Sequence, residues 1–240
     1  MISVDFGGRL GNHLFQYAAM RGVAEYCGFN YFADKQNWLG QGIVDVDFGI
    51  KDGDIKTLYH ETDTAFNPNI FLVSDFTGLN GFFQCEKYFD GDKARQWFKP
   101  VAQPFTKYSF DDYCFIHFRG GDYNVHPWSM YQLPNAYYDE AKRRMLEIKP
   151  TLKFVIITDD IVMARQRFPD DLMMSNSVAV DFATLTCAKY LIISNSSFSW
   201  WTGFLNKDNT VIAPEGWFYY NINKAHFEPK GIKTDKFIWI

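Results

Sequence analysis

The chain has 240 residues, a formal net charge of −4 at pH 7 and 47% hydrophobic residues. This length suits one large globular domain or two small ones with a sizeable core. The negative charge argues against general affinity for nucleic acids or anionic membranes, so a bound phosphate must be recognised by a few local groups. No stretch is long enough to cross a bilayer and no basic segment precedes an apolar run, so we expect a soluble, cytoplasmic protein.

The chain opens with a pattern typical of a βαβ unit. Residues 3–6 are predicted to form a strand, and a glycine-rich turn follows it. From Asn12 onward, apolar residues recur at three- and four-residue intervals, which predicts a helix. Asn12 is a suitable N-cap and Gly28 a suitable residue to end the helix. A second strand is predicted at residues 31–33.

Residues 34–100 are rich in glycine, aspartate and asparagine, and no long helix is evident there. The Asn80-Gly81 pair indicates a turn. We predict that this stretch is an irregular, abbreviated part of the N-terminal half.

The second half alternates apolar strands with helices. We predict strands at residues 113–118, 154–157, 190–193 and 211–213, and helices at residues 135–148, 161–168, 182–188 and from 197 onward, with Asn135 as an N-cap. Continuously apolar strands between helices indicate a parallel sheet that is covered on both faces. Ligands bind at the carboxyl ends of such strands.

The first polar segment at a strand end is the glycine-rich turn before the first helix. Its glycines let a ligand approach the backbone, and the N–H groups of the following helix turn favour an anion. A plain strand-to-helix turn explains the pattern equally well. The segment is neither a GxGxxG fingerprint nor a P-loop, which disfavours a dinucleotide-dependent oxidoreductase.

The second segment, residues 117–122, lies at the end of a predicted strand. His117 and Arg119 alternate there and point to the same side, and Arg119 offers a planar fork of donors to phosphate oxygens. Alternatively, Arg119 forms a salt bridge with Asp122, and His117 is a satisfied buried histidine. Taken singly, each residue favours this structural interpretation.

The third segment, residues 194–201, places hydroxyl groups at the start of a helix, which suits a phosphate. An ordinary N-cap by Ser196 or Ser197 is the alternative. The pair Asp159-Asp160 follows a predicted strand and suits either a ribose or a cap of the next helix, with capping favoured. Asp181 precedes a predicted helix, where an N-cap is the structural alternative. A carboxylate at Asp181 also suits a guanine edge. No histidine or cysteine spacing typical of a metal site is present.

Together and in order, these segments resemble the motifs of the alpha-1,2-fucosyltransferase family. Residues 8–18 resemble its GGLGNQMFQYA opening, residues 117–123 its HxRRGDY motif and residues 194–201 its SNSTFSWW motif. Residues 83–89 and 158–160 are similar to its WQSEKYF and SDD elements. Each motif is moderately specific alone, and their shared order makes the resemblance strong.

The resemblance implies a GT-B-like α/β fold of two Rossmann-type halves with mostly parallel sheets. Residues 1–105 would form the N-terminal, acceptor-side half, and residues 106–240 the C-terminal half that binds the donor GDP-fucose. The implied reaction is an inverting transfer of L-fucose to a sugar hydroxyl of a glycan, forming an alpha-1,2 linkage. It would need no metal or other cofactor.

The resemblance also implies roles for single residues. Arg119 would hold the β-phosphate, His117 would support the diphosphate or the ribose, and Asp122 would fix the loop. Asp181 would recognise guanine. The expected donor contacts are Arg9, Gly11, Asn12, His117, Arg119, Asp181, Ser196, Ser197 and Phe198. No general base is assigned, and Asp122 and His13 are the nearest candidates for one.

Two departures leave other functions open. Gly120 stands where members of the family usually carry a second arginine, and the chain is short in the region that would shape the acceptor site. Donor use is therefore better supported than acceptor identity. A transferase for another nucleotide sugar and a catalytically inactive carbohydrate-binding homologue are the alternatives.

Overall fold

The computed structural model describes residues 1–126, 128–217 and 229–240. The chain forms two compact units. The first comprises Met1–Lys99 and Pro229–Thr234, and the second begins at Pro100 and includes Asp235–Ile240. The boundary thus lies a few residues before the predicted one, and a segment near the C-terminus returns to the first unit.

That returning segment is held by backbone hydrogen bonds and by buried side chains. The Gly231 N–H donates to the Thr64 carbonyl (3.1 Å), and the Lys230 N–H donates to the Thr64 hydroxyl (3.2 Å). Ile232 is buried. These contacts join residues far apart in the chain, so a sequence pattern does not reveal them.

The first unit contains a parallel sheet of four strands in the order β2-β1-β5-β4. A separate two-stranded sheet pairs β3 with β6, whose second residue, Pro100, is the first residue of the second unit. The strands are β1 (Ile2–Val4), β2 (Tyr31–Ala33), β3 (Val44–Asp45), β4 (Thr57–His60), β5 (Thr77–Asn80) and β6 (Lys99–Pro100). The helices are α1 (Leu10–Cys27) and α2 (Gly91–Trp97).

The start of α1 differs from the prediction. The helix begins at Leu10 with Arg9 in the N-cap position, so Asn12 is not the cap. Asn12 lies inside the first turn, where its side-chain oxygen accepts a hydrogen bond from the Gln84 amide (2.8 Å). The predicted helix end is confirmed, because Gly28 adopts the left-handed conformation (φ 71°) that glycine tolerates best.

The middle of the first unit is more regular than predicted. It contributes β4, β5 and α2, which the sequence pattern did not indicate. The cause is shortness: β4 has four residues, three of them exposed, so no apolar alternation marks it.

The second unit contains a parallel sheet of six strands in the order β12-β11-β10-β7-β8-β9. The strands are β7 (Tyr113–Phe118), β8 (Lys153–Thr158), β9 (Leu172–Met174), β10 (Tyr190–Ile192), β11 (Thr210–Ala213) and β12 (Ile238–Trp239). The helices are α3 (Asn135–Ile148), α4 (Ile161–Arg167), α5 (Val178–Cys187) and α6 (Ser197–Leu205).

Both faces of this sheet are covered, as its apolar strands predict. Ile116 and Phe118 of β7 belong to a buried cluster with Tyr138 of α3 and Phe168 after α4. His117 points to the opposite face, where its ring meets Phe198 of α6. The predicted α/β class, with two halves built on mostly parallel sheets, is confirmed.

Two predicted N-caps in this unit are wrong. Asn135 is the first helical residue of α3 and follows Pro134 in the cap position. Asp181 lies in the first turn of α5, which Ser177 caps by accepting from the Val180 N–H. Helix α5 begins four residues before its apolar pattern indicates, whereas α3 spans the predicted residues. Within the described residues, no helix has the length and apolar character that crossing a membrane requires.

Candidate functional site

The second unit has a topological switch point between β7 and β10. From β7 the chain continues to β8 and β9 on one side, and it then crosses to β10 on the other side of β7. The carboxyl ends of β7 and β10 therefore flank a crevice, the usual ligand position in open α/β sheets. His117 and Arg119 come from the end of β7, and Ser194 follows β10.

His117 is held at this switch point by two hydroxyl groups. Its Nδ1 lies 3.0 Å from the Ser194 oxygen and 2.5 Å from the Ser199 oxygen. The imidazole is 5% exposed, and burial, followed by the charge of Arg119, lowers the pKa of His117 to about 3. His117 is therefore neutral near pH 7, so it offers a hydrogen bond rather than a charge to a ligand.

Arg119 forms salt bridges with two carboxylates. One terminal nitrogen donates to Asp122 (2.6 Å), and the other donates to Asp159. The guanidinium also lies over the Tyr123 ring, with 5.8 Å between its central carbon and the ring centroid. The salt bridge with Asp122, which was the structural alternative at this position, is thus present, and Asp159 adds a second one.

These contacts limit how Arg119 can meet a phosphate. Two acidic neighbours outweigh the single positive charge, so an incoming diphosphate must displace a carboxylate or use the remaining N–H groups of the guanidinium. Arg119 keeps 23% of its side chain exposed, which leaves it accessible from solvent. Its predicted role as a donor-diphosphate ligand stays a prediction.

At the two positions after Arg119, neighbouring atoms leave no room for a Cβ atom. A Cβ atom at Gly120 would lie 2.5 Å from the Cβ of Asp160, and one at Gly121 would lie 2.5 Å from a carboxylate oxygen of Asp159. The Gly120 N–H also donates to Asp159 (2.9 Å). A second arginine therefore does not fit at position 120 unless the start of α4 moves.

The start of α6 contributes backbone donors. Ser196 occupies the N-cap position, but among the described residues its hydroxyl makes no capping hydrogen bond. Ser197 and Phe198 form the first turn, which presents backbone N–H groups at the N-terminal end of the helix. The preceding Asn195 is buried, and its amide donates to the Trp217 carbonyl (2.6 Å), which fixes the approach to the helix.

Asp181 is buried near the same strand ends. It accepts hydrogen bonds from the Asn176 side chain (2.9 Å) and backbone (3.3 Å). Burial raises the pKa of Asp181, the bonds from Asn176 lower it, and the charge of Asp159 raises it further. The Asp181 carboxylate is therefore a buried hydrogen-bond acceptor, and its recognition of guanine stays a prediction.

Arg9, Gly11 and Asn12 lie in the first unit, whereas the other predicted donor contacts lie in the second. Arg9 is exposed and Gly11 is buried at the start of α1. The predicted contact of these three residues with the donor involves both units, and it stays a prediction.

His13 is a core residue of the first unit. Its ring stacks on Phe6 (4.8 Å between centroids), and its Nδ1 accepts from the Leu39 N–H (3.3 Å). Burial lowers the pKa of His13 to about 4. These contacts give the ring a packing role, and its candidacy as a general base stays a prediction.

Asp159 has a different role from the one that its sequence position predicts. The capping role belongs to Asp160, which accepts from the Met163 N–H (2.9 Å), whereas Asp159 binds Arg119 and the Gly120 N–H. The sequence pattern assigns no role to Ser199, although its hydroxyl oxygen lies closer to the His117 Nδ1 than that of Ser194 does. The alternation of strand and helix predicted the place of these side chains but not their partners.

No group of three or more histidine, cysteine, aspartate or glutamate side chains suited to a metal ion occurs in the part of the chain that the structure describes. The expectation of a metal-independent reaction is not tested by this finding.

Sequence comparisons identify relatives of this chain. The profile of glycosyl transferase family 11 matches residues 106–236. The O-antigen biosynthesis glycosyltransferase WbnK of Escherichia coli is 32% identical over 122 residues, covering 46% of this chain and 40% of the relative. An alpha-1,2-colitosyltransferase of Escherichia coli is 33% identical over 159 residues, covering 58% and 55%. The chain thus spans about half the length of the curated relatives it matches.

Structural comparisons return solved glycosyltransferases at low sequence identity. A glycosyl transferase family 9 protein from Veillonella parvula aligns with a TM-score of 0.49 and 11% identity, covering 100% of this chain and 85% of that one. Escherichia coli heptosyltransferase WaaC with ADP aligns with a TM-score of 0.49 and 10% identity, covering 99% and 92%. Arabidopsis thaliana FUT1 with GDP has a TM-score of 0.47 and 8% identity, covering 88% and 69%.

Proposed function

Because the chain belongs to glycosyl transferase family 11, we propose that it transfers a sugar from a nucleotide-sugar donor to a hydroxyl group of a glycan. Membership confirms the resemblance to alpha-1,2-fucosyltransferases. One observation carries the proposal: Arg119, neutral His117 and the start of α6 lie around one switch point of a parallel sheet. Such a site suits a diphosphate group.

The proposed donor is GDP-fucose and the proposed product linkage is alpha-1,2. The motif resemblance supports both, and the relative named an alpha-1,2-colitosyltransferase supports the linkage. The same relative makes colitose the main competing sugar. Asp181 supports GDP over other nucleotides, since a buried carboxylate is a suitable acceptor for a guanine edge.

The proposed reaction is a single displacement with inversion. The acceptor oxygen attacks the anomeric carbon opposite the phosphate, the bond from that carbon to the phosphate oxygen breaks, and the hydroxyl proton passes to water or to a base. Arg119 neutralises charge on the departing diphosphate, and preorganised charge of this kind contributes about 2.7–4 kcal/mol. His117 donates a hydrogen bond, and Ser197 and Phe198 offer backbone N–H groups at the start of α6.

A catalytically inactive carbohydrate-binding homologue is the second candidate. The two salt bridges of Arg119 favour the inactive homologue. An arginine whose charge is already neutralised by Asp122 and Asp159 attracts a diphosphate less strongly than an arginine without acidic neighbours. The two candidates predict the same glycan binding but opposite results for GDP release.

A donor and acceptor panel tests the proposal. The purified chain is incubated with GDP-fucose, GDP-colitose, a UDP-sugar and a CDP-sugar against an array of neutral glycans, with and without EDTA. We expect glycan-dependent GDP release from GDP-fucose that EDTA does not change, and an alpha-1,2 linkage by NMR. Transfer from another nucleotide alone would replace the donor assignment, and glycan binding without any GDP release would favour the inactive homologue.

A further inference from the structure

The first unit has a switch point of its own, between β1 and β5. From β1 the chain passes to β2 on one side, and β5 lies on the other side. The turn after β1 contains Gly8, and the turn after β5 contains Phe82. Because ligands of open α/β sheets bind at this position, an exposed side chain here is well placed to contact one.

Phe82 is such a side chain. It is 46% exposed, whereas the next residue, Phe83, is fully buried. A Cβ atom at Gly8 would lie 3.2 Å from a carbon of the Phe82 ring and 2.3 Å from the Asn12 amide nitrogen. The ring thus lies against the turn that precedes α1, and Gly8, with φ at 82°, permits this close approach.

The backbone that carries the ring is unusually constrained. Phe83 has a positive φ of 51°, which a bulky residue adopts only when its surroundings enforce it. Glu61, just after β4, provides part of that constraint, because its carboxylate accepts the N–H groups of Phe82 (2.7 Å) and Phe83 (3.1 Å). Backbone strain held by surrounding structure is characteristic of binding and catalytic sites.

Two glutamine side chains join the loops around the ring. Buried Gln16 accepts from the Gly7 N–H (3.1 Å) and donates to the Gly81 carbonyl (2.8 Å), so it ties the turn after β1 to the turn after β5. Gln84 donates to the Asn12 side chain (2.8 Å). The loop that carries the exposed ring is therefore fixed by side-chain hydrogen bonds to the turn after β1 and to the first turn of α1.

From these contacts we propose that Phe82 is the platform on which a sugar ring of the glycan acceptor stacks. The apolar face of a sugar suits an exposed aromatic ring, and the neighbouring amide and carboxylate groups suit its hydroxyls. The side chains that hold the platform are amides and a carboxylate, which suits a neutral sugar better than a diphosphate. This assignment rests on the proposed transfer to a glycan.

Steady-state kinetics with lactose as acceptor test the platform. Phe82→Ala is expected to raise the KM for lactose about tenfold, because it removes the stacking contact, while the KM for the donor and the Kd of GDP stay unchanged. Phe82→Trp is expected to keep the KM for lactose near that of the wild type. Leu72→Ala, which changes an 81% exposed apolar residue of the same unit, is the matched control and should change nothing.

A binding measurement separates this proposal from the proposed reaction. Saturation-transfer NMR with lactose is run on the wild type and on the Phe82→Ala and Leu72→Ala variants, in the absence of donor. Loss of signal in Phe82→Ala alone supports the platform, even if no transfer is found. Equal signals in all three proteins, no lactose binding by the wild type, or a weakened Kd of GDP in Phe82→Ala would overturn it.

Discussion

Each unit of this molecule has a switch point in a parallel sheet, and the two switch points differ in chemistry. Around the switch point of the second unit lie a guanidinium, two carboxylates and a buried imidazole, and around that of the first lie an exposed phenyl ring and amide groups. Ligands of open α/β sheets bind at such points, and the surrounding side chains decide which kind of ligand each suits. The charged site suits a diphosphate, and the aromatic site suits a neutral sugar.

The largest expected effect concerns the charged switch point. Arg119→Ala should reduce kcat by about 10²–10³-fold, because charge on the leaving diphosphate loses its positive partner. Turnover is measured by GDP release, and circular dichroism checks the fold. Arg143→Ala is the matched control, since Arg143 lies on the exposed face of α3 and pairs with Glu140. Near-normal turnover in a folded Arg119→Ala protein would contradict the assignment of Arg119 as a ligand of the donor's diphosphate.

A smaller effect sharpens the donor side of the comparison. Asp181→Ala should weaken GDP binding by about tenfold or more, and by more than Arg119→Lys, because it removes the acceptor proposed for guanine while lysine keeps the positive charge. Calorimetric titration with GDP measures both. Asp139→Ala, at an exposed carboxylate on α3, is the control. An unchanged GDP affinity in Asp181→Ala would contradict the guanine role.

The glycines of the two switch points should respond differently to the same substitution. Gly120→Ala should lower the free energy of unfolding by roughly 1–3 kcal/mol, because the new Cβ meets Asp160. Gly7→Ala should be close to neutral, since its Cβ meets its nearest neighbour at an ordinary 3.8 Å. Urea unfolding measures both, and equal losses would contradict the steric explanation. Gly120→Arg should be destabilised as well and gain no activity.

The buried histidines, one beside each switch point, predict a similar dependence on pH. The folded pKa is about 3 for His117 and about 4 for His13, so between these values and the ordinary 6.5 the unfolded chain binds more protons. The contribution of each histidine to the free energy of unfolding should therefore be fully present above pH 6.5. It should decrease as the pH falls below that value, by up to about 1.4 kcal/mol per pH unit for each histidine.

Variants isolate this contribution. His117→Gln and His13→Gln should each flatten the slope of unfolding free energy between pH 6.5 and 4, measured by urea titration at several pH values. His60→Gln changes an exposed histidine and serves as the control. Burial raises the pKa of Asp181 and of Glu61, which gives those groups the opposite slope above their ordinary pKa. An unchanged slope in both variants would contradict the buried-histidine explanation.

Much of the second unit could be predicted because its strands are continuously apolar. Strands β7, β8, β10 and β11 were placed to within a residue or two, and so were α3, α4 and the start of α6. The first unit was harder, because β4 and β5 have four residues each and β4 is mostly exposed. The N-caps failed where a side chain with capping ability bonds elsewhere, as Asn12 does with Gln84.

The sequence by itself determined where chemistry can occur: periodicity located the strand ends, and motif order identified the family. Only the tertiary structure decided the partners of these side chains. Arg119 meets Asp159 across 40 positions of the chain, and His117 meets Ser194 across 77, because β8 and β10 lie on either side of β7. Periodicity reports which face of an element is buried and carries no record of strand order. Strand order decides which residues meet in three places: at the salt bridges of Arg119, at the contact that excludes a side chain at Gly120, and where the Phe82 ring lies against Gly8.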